Sequence, residues 1–422
     1  MQPFHLPTVS VKKCFLMRRR MDGLVFSSAA FLLLLSGEAS ATLFGVFLCV
    51  GIYLLVFRPR KSLAHLDKKY VLVTLLFSAS SLLINFANGS LPEDFRWSSY
   101  PLYYLLVVPI AIGAVLVRDP LRQFVIGTRA ALVILAFWGL AEVAAGSWRP
   151  GFGSNPANAA FALTFLAIVS RLSINSAPWL LSNRFVFFYL GMVAVLASQT
   201  RAVLPVFVIG IALDIYLLLR SIVLGRRTVY GWSSVISAVV LAFGLGSVSV
   251  IYPIYADRVA YSFKEISAAV QNPDSNNVTG LALRVGQWRA AVDLIAENQL
   301  LGRGGAGVSS EISRHNPPGF SGDLTQFTFV HNFILDEAIQ RGLVGLALLL
   351  GYFGFCLFRI YRYGSPSMKE NVLLMLILTF SFGLLHYLLV IDRHVILYAL
   401  YFVLLITANH GWRSPYNVKM AS

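Results

Sequence analysis

The chain has 422 residues, 57% of them hydrophobic and only 13% charged, and a mean hydropathy of +0.71. That composition excludes a soluble globular domain. The formal charge of +15 is spread along the chain, and no basic-aromatic patch points to nucleic acid.

Lipid offers backbone groups no partner outside the segment, so apolar runs of spanning length are read as helices. The reading is an all-α polytopic integral membrane protein of about twelve transmembrane helices. Spans are expected near 24–37, 40–57, 70–86, 101–117, 122–145, 157–172, 185–199, 202–219, 231–253, 333–358, 371–390 and 394–409. The first run follows Arg18, Arg19 and Arg20 and has the look of a leader ending near GEASA. The next span follows within a few residues, so a two-span hairpin accounts for both.

Basic segments at 58–69, 118–122, 220–227 and 359–369 fall on one side, together with Arg171, Arg184, Arg413 and Lys419. The positive-inside rule makes that side cytoplasmic, with both termini on it. The chain then divides into nine spans over 1–253, a periplasmic loop with amphipathic helices over 254–332, and three spans and a cytoplasmic tail over 333–422. Cys14, Cys49 and Cys356 form no disulfide framework, and the seven histidines no HExxH or ligand cluster. No metal or cofactor is expected.

The polar residues of the outward end carry the chemistry. GFGSNPANAAF, 151–161, places Asn155 and Asn158 at the mouth of span six, where a helix cap needs one of them and leaves the other for a sugar contact. Arg201, in SQTRAVLP, sits in a tight turn between two spans. It either snorkels to lipid headgroups or forks onto phosphate oxygens. Leu281, Val285, Trp288, Val292 and Ile295 recur at helical spacing, predicting an amphipathic helix on the outer membrane surface. Arg284 and Gln287 flank that stripe, and Arg289 and Asp293 read as an exposed pair.

GRGGAG, 302–307, is a flexible helix stop or a backbone nest for an anion, and its Arg303 is a candidate substrate contact. In VHNFILDEAIQRGLVG, 330–345, Glu337 and Arg341 are spaced to pair, while Gly342 and Gly345 admit a neighbouring helix. His331 opens the segment at a helix N-terminus, which favours a neutral imidazole. It is either an interfacial cap or a general base, with Asn332 beside it as a further substrate contact. A transporter would need charges near the midplane, for which Glu142 and Asp214 are the acids available.

SQTRAVLP, the helix RVGQWRAAVDLIAENQLLGRGGAG and the block HNFILDEAIQRGLVG resemble the three signature regions of bacterial O-antigen ligases and the related polymerase superfamily. His331, Asn332, Leu335, Gly342 and Gly345 fit the most specific of these patterns. Thr200 stands where such proteins commonly have serine, and a hydroxyl is retained. The resemblance implies a GT-C-like inner-membrane glycosyltransferase, metal-independent and inverting. It would move glycan from undecaprenyl pyrophosphate to the lipid A core, with His331 activating the acceptor hydroxyl and Arg201 and Arg284 holding the pyrophosphate. A polymerase, or an oligosaccharyltransferase acting on protein hydroxyls, would use the same donor. A transporter of the lipid-linked glycan would leave the donor intact.

Overall fold

A computed structural model of the chain describes residues 11–35, 37–64, 66–89, 100–117, 119–147, 149–174, 181–223, 281–304, 308–315, 329–389 and 391–409, with isolated residues at 260, 264, 267 and 324. Among these there is no strand. The helices are α1 (Val11–Leu35), α2 (Gly37–Phe57), α3 (Pro59–Leu63), α4 (Lys68–Ala87), α5 (Tyr100–Gly113), α6 (Pro120–Ala144), α7 (Pro156–Ser170) and α8 (Arg184–Ser198). There follow α9 (Leu204–Val223), α10 (Leu281–Glu297), α11 (Val308–Arg314), α12 (Phe333–Tyr363), α13 (Pro366–Gly383) and α14 (Asp392–Asn409).

Helices occupy eleven of the twelve expected spans. The ninth, 231–253, lies outside the described residues. α2, α4, α6 and α12 contain stretches long and apolar enough to cross a membrane, with α5, α7 and α8 as shorter apolar helices.

α7 is the axis of the bundle. Every residue from Ala159 to Ser170 is buried, and small side chains let its neighbours approach: a Cβ on Gly191 of α8 would press on Ala167. α8, α6 and α13 pack around it, α2 pairs with α5, and α12 lies against α4 and α13. At one end of α7 the guanidinium of Arg129 donates to the carbonyls of Ser170, Leu172 and Leu181, satisfying groups a helix end leaves open. Next to it Arg171 grips Asp214 through two bonds, at 2.9 and 2.5 Å, and Tyr189 donates to the same carboxylate. Asp214 is therefore part of an ion pair that ties α7 to α9, and Glu370 of α13 lies within 3.6 Å of Arg171.

α12 is broken once, at Gly342, where φ is 66° and ψ is −170°. Only glycine holds that conformation without strain. The helical bonds lost there are replaced from the segment after α10. Arg303 N–H donates to Ile339 O at 2.8 Å and Gly304 N–H to Gln340 O at 2.9 Å. In the reverse sense Leu343 N–H donates to Gln299 O at 2.8 Å and Val344 N–H to Leu300 O at 3.2 Å. Asn88, at the end of α4, adds bonds from its amide to Leu301 O and Gln340 O. Residues 299–304 are thus a clip on a broken helix, with the N–H groups of 303 and 304 already engaged; the rest of GRGGAG, 305–307, lies outside the described residues. Gly302 permits the approach, because a Cβ there would lie 2.5 Å from Gly342 N.

The turn of α12 before the break is pinned by charge. Arg341 forks onto Glu337 at 2.6 Å through two nitrogens, reaches Asn85 of α4 at 3.1 Å and lies over the Tyr100 ring. Tyr100 donates to Glu337 at 3.0 Å. The i,i+4 pair expected from the sequence is present, and it is buried.

Gly342→Ala places a Cβ against the Leu300 carbonyl at a positive φ. A loss of roughly 3 kcal/mol is expected, read as a lower thermal midpoint in detergent. Gly351→Ala, where a Cβ meets nothing, is the control. Equal midpoints for the two variants would refute the role of the break.

Candidate functional site

The site begins where α12 begins. Asn332 is the N-cap: its side-chain oxygen accepts from Ile334 N–H at 3.1 Å and Leu335 N–H at 3.3 Å. The cap is therefore Asn332 and not His331, and it engages the side-chain oxygen alone. His331 precedes the helix in the left-handed region, φ 56°, which histidine tolerates better than most residues. Asp336 holds that turn, its Oδ1 accepting from Val330 N–H at 2.9 Å.

The His331 ring directs Nδ1 at Phe329 O, 3.1 Å away. With Nδ1 as the donor, Nε2 is the basic nitrogen. Burial, and then the charge of Arg284, push the His331 pKa down to about 4. The imidazole is neutral at pH 7. Its ring faces Tyr387 at 5.3 Å and His386 at 6.5 Å between centroids, both in the segment between α13 and α14.

α10 brings Arg284 to this point. Trp288 Nε1–H donates to Val330 O at 2.9 Å, which ties the helix to the residue before His331. Arg284 lies one turn earlier and so projects on the same side. The face that packs on the protein carries Leu283, Gln287, Ala290, Ala291 and Leu294, rotated away from the predicted stripe. Val292 of that stripe is 55% exposed. The small pair Ala290 and Ala291 permits the closer approach, while Trp288 and Ile295 of the stripe pack half-buried at the edge of this core. Arg289 and Asp293 are exposed as expected, but no ion pair forms between them.

Arg284 is half-buried, and no carboxylate among the described residues pairs with it. Its pKa is lowered by burial and by a second guanidinium, Arg149. The sequence reading missed Arg149, since one arginine in a polar loop carries no local signal. Arg149 donates to Ser198 O at 3.1 Å and Thr200 Oγ1 at 3.3 Å. It therefore links Arg284 to the turn bearing Arg201, which forms a short 3-10 element, Arg201–Val203, packed against α13. The Thr200 hydroxyl reaches Pro156 O at 3.4 Å, joining the same turn to the start of α7.

Asn155 caps α7, accepting from Ala157 N–H at 2.9 Å, and Asn158 is half-buried on the first turn. Arg303 does not join the group. Its guanidinium is held by Glu297 and Glu311 on the loop surface, so two carboxylates compensate the charge that the substrate reading needed. The arrangement gathers a neutral, oriented imidazole and two mutually repelling guanidiniums beside the Arg201 turn. It can accept a proton and attract a multivalent anion.

Residues 185–350 match the family model described as O-antigen ligase. That segment contains Arg201, Arg284 and His331. No curated protein sequence matches the chain.

The histidine should titrate near pH 4, and Arg284→Gln should move it up toward the ordinary 6.5, because a nearby positive charge is removed. Diethyl pyrocarbonate modification of the His331 peptide, followed by mass spectrometry across pH 3–8, reads this directly. An unshifted profile in the variant would disprove the proximity of the two groups.

Proposed function

We propose, from the match of residues 185–350 to the O-antigen ligase family model, that this membrane protein transfers a glycan from undecaprenyl pyrophosphate to the lipid A core oligosaccharide. The carrying observation is the half-buried Arg284, with no carboxylate among the described residues to pair it, between a neutral His331 and Arg149. Positive charge of that kind, next to a base, suits a substrate that brings negative charge to a proton-transfer step.

In this reading the acceptor hydroxyl oxygen attacks the anomeric carbon as the bond from that carbon to the pyrophosphate oxygen breaks. His331 Nε2 takes the hydroxyl proton. The electron pair leaves with undecaprenyl pyrophosphate, whose charge Arg201 and Arg284 stabilise, with Arg149 adding to the field. In-line attack inverts the anomeric configuration. The guanidiniums do what a divalent cation does in other transferases, so no metal is invoked. Binding the anionic donor raises the His331 pKa from its low value, which improves the base when it is needed. The active site lies on the periplasmic face of the inner membrane, with Asn158 at the mouth as a sugar contact.

Purified protein with lipid-linked glycan and lipid A core should yield a larger lipopolysaccharide, with or without EDTA. His331→Ala should lower the rate by about 10²–10⁴, and Arg284→Ala by a comparable factor, about 10²–10³. Glycan extended on its own carrier would make the protein a polymerase. A donor recovered unchanged alongside a competent acceptor would rule out transfer altogether.

Arg149→Gln separates the added cation from a bystander. It should weaken donor use about tenfold or more in kcat/KM, while acceptor KM is unchanged. A variant with unaltered donor kinetics would confine Arg149 to bracing the Arg201 turn.

A further inference from the structure

The far end of α12 carries a second group of cations that the transfer reaction does not use. Between the start of α4 and the ends of α12 and α14 lies a cavity of about 660 Å³. Lys68, Lys69, Arg359 and Asn409 supply its polar wall, and Leu66 and Ile406 its apolar one. His331 and Arg359 stand at opposite ends of a helix on the order of 40 Å long, so this cavity and the transfer site open toward opposite faces of a membrane.

The charges on the wall do not cancel. Asp67, its one acid, is buried and committed: Oδ1 caps α4 through Lys69 N–H at 2.8 Å and Tyr70 N–H at 3.2 Å, and Oδ2 pairs with Arg359. Arg359 also lies over the Tyr363 ring, 4.5 Å from its centroid. Lys68 and Lys69 are exposed, and no carboxylate among the described residues pairs with either. Asn409, half-buried, contributes Nδ2, a solvent-shielded donor with no acceptor among the described residues. Such a donor is costly unless something accepts from it.

We propose that this cavity binds the phosphate of an anionic lipid headgroup. Two ammonium groups and an amide donor face the phosphate oxygens, and the apolar wall takes the first carbons of the lipid. The side chains after Asn409 include Arg413 and Lys419 and no aspartate or glutamate, so their net charge has the wrong sign to fill it. The site is independent of the transfer reaction, and its failure would leave that reading untouched.

The test uses the delipidated full-length protein in detergent, titrated by native mass spectrometry with phosphatidylglycerol or phosphatidylcholine of identical chains. Phosphatidylglycerol should bind at least about tenfold more tightly. Lys68→Gln/Lys69→Gln should remove that preference. Asn409→Leu changes no charge, and it should still weaken phosphatidylglycerol several-fold, which general attraction to a basic surface does not explain. It also decides the matter if the double variant does not fold.

Equal affinity for the two lipids overturns the proposal, as does an unchanged preference in Asn409→Leu. Displacement of phosphatidylglycerol by low-millimolar inorganic phosphate would show a soluble anion as the ligand and end the lipid assignment. Removing residues 412–422 should leave the affinity as it is. A large gain would identify that segment as the occupant instead.

Discussion

The exchange of backbone hydrogen bonds between residues 299–304 and the broken turn of α12 fixes α10 and α12 relative to each other, and with them Arg284 and His331. A break in a buried helix leaves carbonyls and N–H groups that must be satisfied. Here Arg303 and Gly304 supply the donors and Gln299 and Leu300 the acceptors. The same exchange fixes the end of α10 against the first half of α12. Trp288 makes the second attachment, at Val330. With two points held, Arg284 and His331 have a defined relation although they come from separate elements. Glu337 and Arg341 make the half-helix that carries His331 rigid by locking it to Tyr100 and Asn85.

Much of this was legible in the sequence, and what was not has a physical reason. Apolar runs locate the helices of the described residues, because each run favours helix on its own. The Glu337–Arg341 pair could be read from spacing, since four residues is a local distance. Gly342 was read as a place for helix approach, and GRGGAG as a stop or an anion nest. The truth joins them: Gly302 and Gly342 are mutually dependent, and forty residues of separation hide that from any local pattern. On α10 the apolar stripe was found, but the packed face is defined by Ala290 and Ala291, whose value is small size rather than hydrophobicity. His331, Arg201 and Arg284 are each marked by their motifs in the sequence. Arg149 is not, because its importance lies in reaching Thr200 and Arg284 from a different loop.

The arginines divide by the company they keep. Arg171 and Arg341 each grip a carboxylate through two nitrogens, and Arg129 is surrounded by carbonyl oxygens. These residues hold helices together. Arg303, on the loop, is compensated in the same way. Arg284 has no such partner among the described residues and sits against another cation, Arg149. Its surroundings set it apart from the structural cations, a distinction that residue type alone does not reveal.

The shortness of α7 and α8 has one further effect. Each has 15 residues and so spans about 22 Å, against a hydrocarbon layer roughly 30 Å thick. Their shared far end is tied to Arg171, Asp214, Arg184 and Glu370, an ionic knot that belongs at the polar boundary. The shortfall then falls at the other end, where Asn155, Thr200 and Arg201 lie. Where a span is shorter than the layer, lipid thins or water and polar groups fill the difference, and the polar side chains of Asn155, Thr200 and Arg201 suit that boundary.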